Sequence, residues 1–176
     1  MDFSNPIIEG VLENFRSVID EDFDKYRNHV YRVFSNCLLI DSEKANEEKY
    51  AIAAVFHDIG IWTDHTIDYL EPSIDQAKKY LTESGKQEWT DEISLMIDWH
   101  HKTSRYKGEH EQTVENFRKS DWIDVSLAIL TFGFDKHKIN ETRKKLPDLG
   151  FHLFLIGKLT KNFFKHPLNP LPMFRK

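Results

Sequence analysis

The chain has 176 residues, 40% of them hydrophobic and 30% charged, with a formal net charge of −5. That composition fills one core, so neither a second domain nor a linker is needed to parse the chain. Charges of both signs are mixed along it rather than gathered into a basic stripe, which argues against duplex nucleic acid as a partner.

No apolar run is long enough to span a bilayer, and the acidic, proline-bearing start Met1–Gly10 does not read as a secretory signal. No membrane association and a cytoplasmic location are therefore expected. The single cysteine, Cys37, lies in the apolar run Cys37-Leu38-Leu39-Ile40, so it reads as a buried core thiol, with no disulfide framework and no thiolate metal site.

Taken in chain order, the pattern is helical nearly throughout. Ile8, Val11, Leu12, Phe15, Val18 and Ile19 recur at three- and four-residue intervals, predicting one packing helix from Ile7 to Ile19. Phe23, Tyr26, Val30, Val33, Phe34, Cys37 and Leu38 form a second stripe, with His29 immediately beside it. Ser42 and Glu43 open a third helix, whose run from Ala51 to Phe56 is apolar enough for the centre of a bundle and ends at His57-Asp58, with Gly60 marking the stop.

A further helix is predicted from Pro72 to Ser84-Gly85. The next is capped by Thr90 and carries Ile93, Met96 and Ile97 toward Trp99, His100 and His101. Thr113 is expected to cap a long helix through Phe117, Asp121, Trp122, Val125 and Ile129, interrupted near Gly133, with Asp121 and Asp124 close to one face. A charged helix near Lys138 to Lys145, a break at Pro147, an apolar helix from Gly150 to Phe164 and an extended tail from His166 complete the reading. With no alternating strand run, the expected fold is all-α, a single-domain helical bundle over 1–176 with a core at 23–130 and a C-terminal helical extension at 137–176.

Four side chains from separate helical segments stand out: His29, His57, Asp58 and Asp121. Imidazole and carboxylate hold a divalent ion while leaving coordination positions open to water. Neighbours on a helix point about 100° apart, so His57 and Asp58 reach one ion most easily where their helix ends.

A histidine, then Val55-Phe56-His57-Asp58-Ile59-Gly60-Ile61, then Ser120-Asp121-Trp122-Ile123-Asp124 is an order that resembles the HD superfamily of metal-dependent phosphohydrolases. The resemblance implies an HD-type bundle with one divalent ion (Mn, Fe, Co, Ni, Zn or Mg) on His29, His57, Asp58 and Asp121. Asp58 would also orient the attacking water as the catalytic carboxylate, and Asp124 would accept a proton from a ligand histidine. Ile97-Asp98-Trp99-His100-His101-Lys102 is similar to segments that bind a second metal or the substrate phosphate in some branches, which leaves two ions open. Ser73 stands where two-metal branches carry a further histidine.

Ile61 replaces the lysine that follows the doublet in branches cleaving cyclic dinucleotides, and the GluAsp pair of stringent-response hydrolases is absent. The residual expectation is hydrolysis of a small phosphoester, nucleotides included, with Lys102, Arg105 and Lys107 as phosphate-binding candidates. Trp62, Trp99 and Trp122 are candidates to wall the pocket. The same scaffold hosts hydratases or lyases of small nitrogenous compounds and di-iron oxygenases, and a helical binding module without enzymatic activity is the remaining alternative. Nothing in the sequence sets the oligomeric state.

Overall fold

Asn5 starts the first helix, its Oδ1 accepting the amides of Ile7 and Ile8, and Pro6 takes the first helical position, where a missing N–H costs nothing. A computed structural model describes residues 4–165. α1 runs from Pro6 to Asn14 and stops short of the predicted Ile19. Phe15 leaves the helix to meet Phe56 edge to face at 5.9 Å. The chain then resumes as α2, Arg16–Ile19, with a changed phase that turns Val18 outward, 41% exposed.

α3, Phe23–Ile40, buries Phe23, Tyr26, Val30, Val33, Phe34 and Cys37 as expected, although Leu38 faces partly to solvent. α4, Lys44–Phe56, is buried continuously from Tyr50 onward and packs against α1, α3 and a later helix, α7 (Thr90–Trp99). It ends at Phe56, so Gly60 is not its stop. A turn over 57–59 leads instead into α5, Gly60–Thr63, where a Cβ on Gly60 would lie 2.5 Å from the Tyr69 carbonyl oxygen. The glycine serves close approach of α5 to α6, Leu70–Glu83, and its amide donates to Ser73 Oγ at 3.0 Å. α6 begins two residues before the predicted Pro72, which still falls in the first turn where it removes no helical bond.

Thr90 is not a cap either, because a 3₁₀ turn at Gln87–Trp89 runs directly into α7 and makes it the first helical residue. α8, Glu111–Val125, starts before Thr113, whose hydroxyl donates to Glu92 Oε1 at 2.5 Å instead of capping. It ends before Ile129, since Leu127 and Ala128 take positive φ values of 56° and 62°. α9, Lys136–Lys145, is capped by Asp135, and α10 spans Phe151–Lys165. The predicted extended tail lies outside the described residues.

α3 lies along α8, α6 along α7, and α7 along α8, while α9 and α10 lean on α3. Leu146 and Phe151 join the same apolar core as the preceding helices. The described residues contain no strand, and none of the described helices is long and apolar enough to cross a membrane. The all-α expectation holds.

Candidate metal centre

α3, the turn after α4, the end of α7 and α8 meet at one buried point. His29, His57, Asp58, His100 and Asp121 are each less than 5% exposed there. His29 Nε2 and His57 Nε2 face one another at 2.9 Å. Asp58 Oδ2 lies 3.6 Å from the first and 3.5 Å from the second, and Asp121 Oδ1 lies 3.7 Å and 3.8 Å from them. Asp58 turns its other oxygen, Oδ1, toward His100 Nε2 at 3.4 Å, and this buried atom has no hydrogen-bond partner among the described residues.

The outward side of each imidazole fixes what the inward side offers. His29 Nδ1 donates to Asp124 Oδ2 at 2.7 Å, His57 Nδ1 to the Ala54 carbonyl at 2.8 Å and His100 Nδ1 to the Ile97 carbonyl at 2.6 Å. Carbonyl and carboxylate oxygens only accept, so each ring carries its proton on Nδ1 when neutral and points an Nε2 lone pair inward. Three lone pairs and two carboxylates then converge with no donor between them. Such an acceptor-only nest calls for a cation. Its donors form two overlapping trios, His29–His57–Asp121 and His57–Asp58–His100, with the ligand atoms of each within 4.8 Å of one another.

The electrostatics agree with this geometry. Burial pulls the His29 pKa down, but the Asp124 and Asp58 carboxylates outweigh it and raise it to about 9. A proton on Nε2 does there what a cation would do. Burial lowers His57 to about 3, leaving it neutral and able to coordinate. Burial also raises Asp121 to about 6, whereas the imidazoles of His57, His100 and His29 overcome burial at Asp58 and hold it well below the usual carboxylate range. Asp124, 1% exposed, stays ionised against burial because His29 and Arg32 bond to it. Arg32 Nε and Nη2 reach its two oxygens at 2.6 and 2.9 Å, and Arg143 Nη1 adds a third guanidinium bond at 2.6 Å.

A cavity of about 210 Å³ opens onto the cluster, with Asp58, His100, His101 and Asp121 at its polar end. Tyr69 and Trp122 join Ile61, Ile67, Val125, Leu155 and Leu159 in its walls. Burial and then the nearby Asp58 and Asp121 charges raise the Tyr69 hydroxyl well above its ordinary pKa, so it stays protonated.

Lys102, Arg105 and Lys107 do not line this cavity. The segment turns away because the Tyr106 amide donates to Glu115 Oε1 at 2.7 Å and the Tyr106 ring packs on Trp99 at 4.9 Å. Arg105 pairs with Glu111 on a separate surface depression, Lys107 is exposed, and the buried Lys102 contributes its carbonyl to Arg118 and Trp122. Of the three tryptophans, Trp122 walls the cavity, Trp62 stacks on Phe154 at 5.4 Å and Trp99 meets Tyr106.

Sequence reasoning missed Tyr69, Arg32, Arg143 and Phe151, whose ring stacks on His29 at 4.2 Å and 20°. Arg32, a charge inside an apolar stripe one turn after His29, was a usable signal, since such a charge is buried only with a partner. The others come from distant segments that carry no local mark.

A family model for the HD domain matches residues 26–128, a span that runs from α3 to just beyond α8 and takes in His29, His57, Asp58, His100, Asp121 and Asp124. No curated protein and no solved structure matches the chain significantly. HD domains are in general metal-dependent hydrolases. With more than half of its length matched and the cluster inside the matched span, this chain belongs to the HD domain family.

Proposed function

We propose that the protein is a metal-dependent hydrolase of small phosphoesters, acting at the His29–His57–Asp58–Asp121 cluster. The observation that carries the reading is the convergence of three imidazole Nε2 atoms and two carboxylates which, with the imidazoles neutral, offer acceptors only. His29, His57, Asp58 and Asp121 would hold one divalent ion, and Asp58 with His100 offers a place for a second. When bound, such an ion supplies Lewis acidity, acidifying water and polarising the oxygen of the group under attack.

The chain's own residues do the rest. Asp58 Oδ1, buried and without a hydrogen-bond partner among the described residues, accepts a hydrogen bond from the attacking water and orients it. His100 Nε2, 3.4 Å away, takes the proton the water releases and passes it toward the leaving oxygen. Trp122 and the aliphatic walls exclude bulk water from the reacting end. A small molecule is thus the partner proposed, with its phosphoryl group toward Asp58 and His100 at the polar end of the cavity.

One observation favours a second reading. Among the described residues the cavity wall contains no Lys or Arg, so an uncharged substrate, as in hydration of a small nitrogenous compound, also suits it.

Elemental analysis of protein purified without chelator, beside a His57→Ala, Asp58→Ala variant, tests the centre first. One or two ions per chain, lost in the variant, and Mn²⁺-dependent release of phosphate from simple phosphomonoesters are the expected results. An ion-loaded protein inert toward phosphoesters but active on a nitrile-like substrate would move the assignment to the second reading. Absence of any tightly bound ion, with none taken up on adding Mn²⁺, Fe²⁺ or Zn²⁺, would remove both.

A further inference from the structure

The HD domain match ends at residue 128, yet part of the cavity wall comes from α10, which lies beyond it. Leu155 and Leu159 line the chamber, and their four-residue spacing puts both on one face of the helix. That face is anchored at the centre itself. Phe151, one turn before Leu155, is fully buried and stacks on His29, while Phe154 lies flat on Trp62 with an interplanar angle of 1°. Lys158 of α10 sits over Phe154 at 5.2 Å and is absent from the lining.

The cavity, at about 210 Å³, is small beside the roughly 300–1,000 Å³ of sites that take drug-sized ligands. Its polar groups are gathered at the metal-ligand end, and the remaining wall is aliphatic and aromatic. A sugar with several hydroxyls, or a second phosphate, would lose its hydration there and find few partners.

We propose that Leu155 and Leu159 are specificity-determining residues, and that the chamber selects a phosphomonoester with a compact apolar leaving group, of phenyl or short-alkyl size, over nucleotides. This inference rests on the phosphohydrolase reading of the same site. In the reaction it implies, a water oxygen forms a new P–O bond, the ester P–O bond breaks, and the alcohol departs with the proton that water gives up. The apolar body lies against Leu155, Leu159 and Trp122, with the phosphoryl group toward Asp58 and His100.

The test is binding of two non-reacting probes, phenylphosphonate and inorganic phosphate, to the Mn²⁺-loaded full chain, followed by calorimetry or tryptophan fluorescence. Wild-type protein should bind phenylphosphonate about tenfold more tightly than phosphate, as partial burial of one ring predicts. A Leu155→Ala, Leu159→Ala variant should narrow that preference to about twofold while leaving phosphate affinity nearly unchanged. Leu159→Lys, at a half-buried position that tolerates a long side chain, should shift the preference toward phosphate. Equal affinities in the wild type, or a preference that survives both variants, would overturn the proposal. Hydrolysis of nucleoside monophosphates as efficient as that of phenyl phosphate would overturn it too, while leaving the phosphohydrolase reading in place. A preserved, wall-dependent preference without any phosphoester cleavage would support selection by the wall and remove the phosphohydrolase reading alone.

Discussion

Asp124 accepts the Nδ1 proton of His29 across 2.7 Å, joining two helices through residues 95 positions apart. The carboxylate is itself clamped by Arg32 from α3 and Arg143 from α9, so the orientation of His29 depends on a bond network that reaches outside the HD domain match. Asp124→Asn keeps the shape and removes the charge. Arg32, 1% exposed, then keeps only the more distant Asp148 carboxylate at 3.7 Å, and breaking a buried pair costs up to about 3–5 kcal/mol. The expected result is a lower denaturant midpoint together with metal affinity weakened by about 10–100-fold, the usual effect of losing a partner that orients a ligand. Wild-type metal affinity in a folded Asp124→Asn protein would show that the carboxylate does not govern His29.

The raised pKa of His29 gives stability a definite pH dependence in chelator-treated protein. Its folded value of about 9 lies above the ordinary 6.5, so the stabilisation it contributes is fully present below 6.5 and is lost as pH rises through about 9. Melting temperature should fall across that window in metal-free protein and not in a His29→Gln variant. Metal-loaded protein should not show the fall, because the ion replaces the proton at Nε2 and binds more readily as protons leave. Melts at closely spaced pH values, with and without chelator, read the effect directly, and parallel curves for the two states would contradict it.

Gly60 makes a sharper steric prediction than its usual role as a helix stop would suggest. A Cβ there would meet the Tyr69 carbonyl oxygen at 2.5 Å, Pro72 Cβ at 2.9 Å and the Ser73 amide nitrogen at 3.0 Å, and two of the three are backbone atoms that cannot rotate away. Gly60→Ala is expected to destabilise by about 1–3 kcal/mol and to disturb metal binding through the adjacent Asp58. Gly10, in α1 with nothing within 4 Å of its added Cβ, is the control, and Gly10→Ala should be neutral or stabilising by about 0.5–1 kcal/mol. Equal melting temperatures for the two variants would refute the contact.

Gly60 also shows where the sequence was legible and where it was not. Helical periodicity located most of the long helices among the described residues, because burying an apolar stripe is a local demand written at three- and four-residue spacing. Helix ends were read less well. Thr90 and Thr113 have capping chemistry, yet a preceding 3₁₀ turn absorbs the first and a buried glutamate from another helix claims the second. His29, His57, Asp58 and Asp121 stood out because their residue types and order are unusual for helical packing, and the structure brings those side chains together. The course of the cationic run at 102–107, which is not part of the cavity lining, was not legible because the bond between the Tyr106 amide and Glu115 spans two segments. Phe151 and Arg143 were invisible for the same reason, since their contacts are purely tertiary.

Thr113 permits a direct contest between a local and a tertiary role. Its hydroxyl donates to Glu92 Oε1 at 2.5 Å, while Lys49 Nζ holds Oε2 of the same carboxylate at 2.7 Å, tying α4, α7 and α8 together. Glu92 is only 5% exposed, so losing a donor leaves a buried anionic oxygen short of a partner. Thr113→Val, which keeps the shape and removes the hydroxyl, is expected to cost about 1.5–3 kcal/mol, the range for a hydrogen bond to a charged group. Thr113→Ser should retain most of the stability. Pairing each with Glu92→Gln in a double-mutant cycle separates the roles: coupling between positions 113 and 92 follows from the buried bond, whereas an effect of Thr113→Val independent of Glu92 would mean that the hydroxyl acts on its own helix end after all.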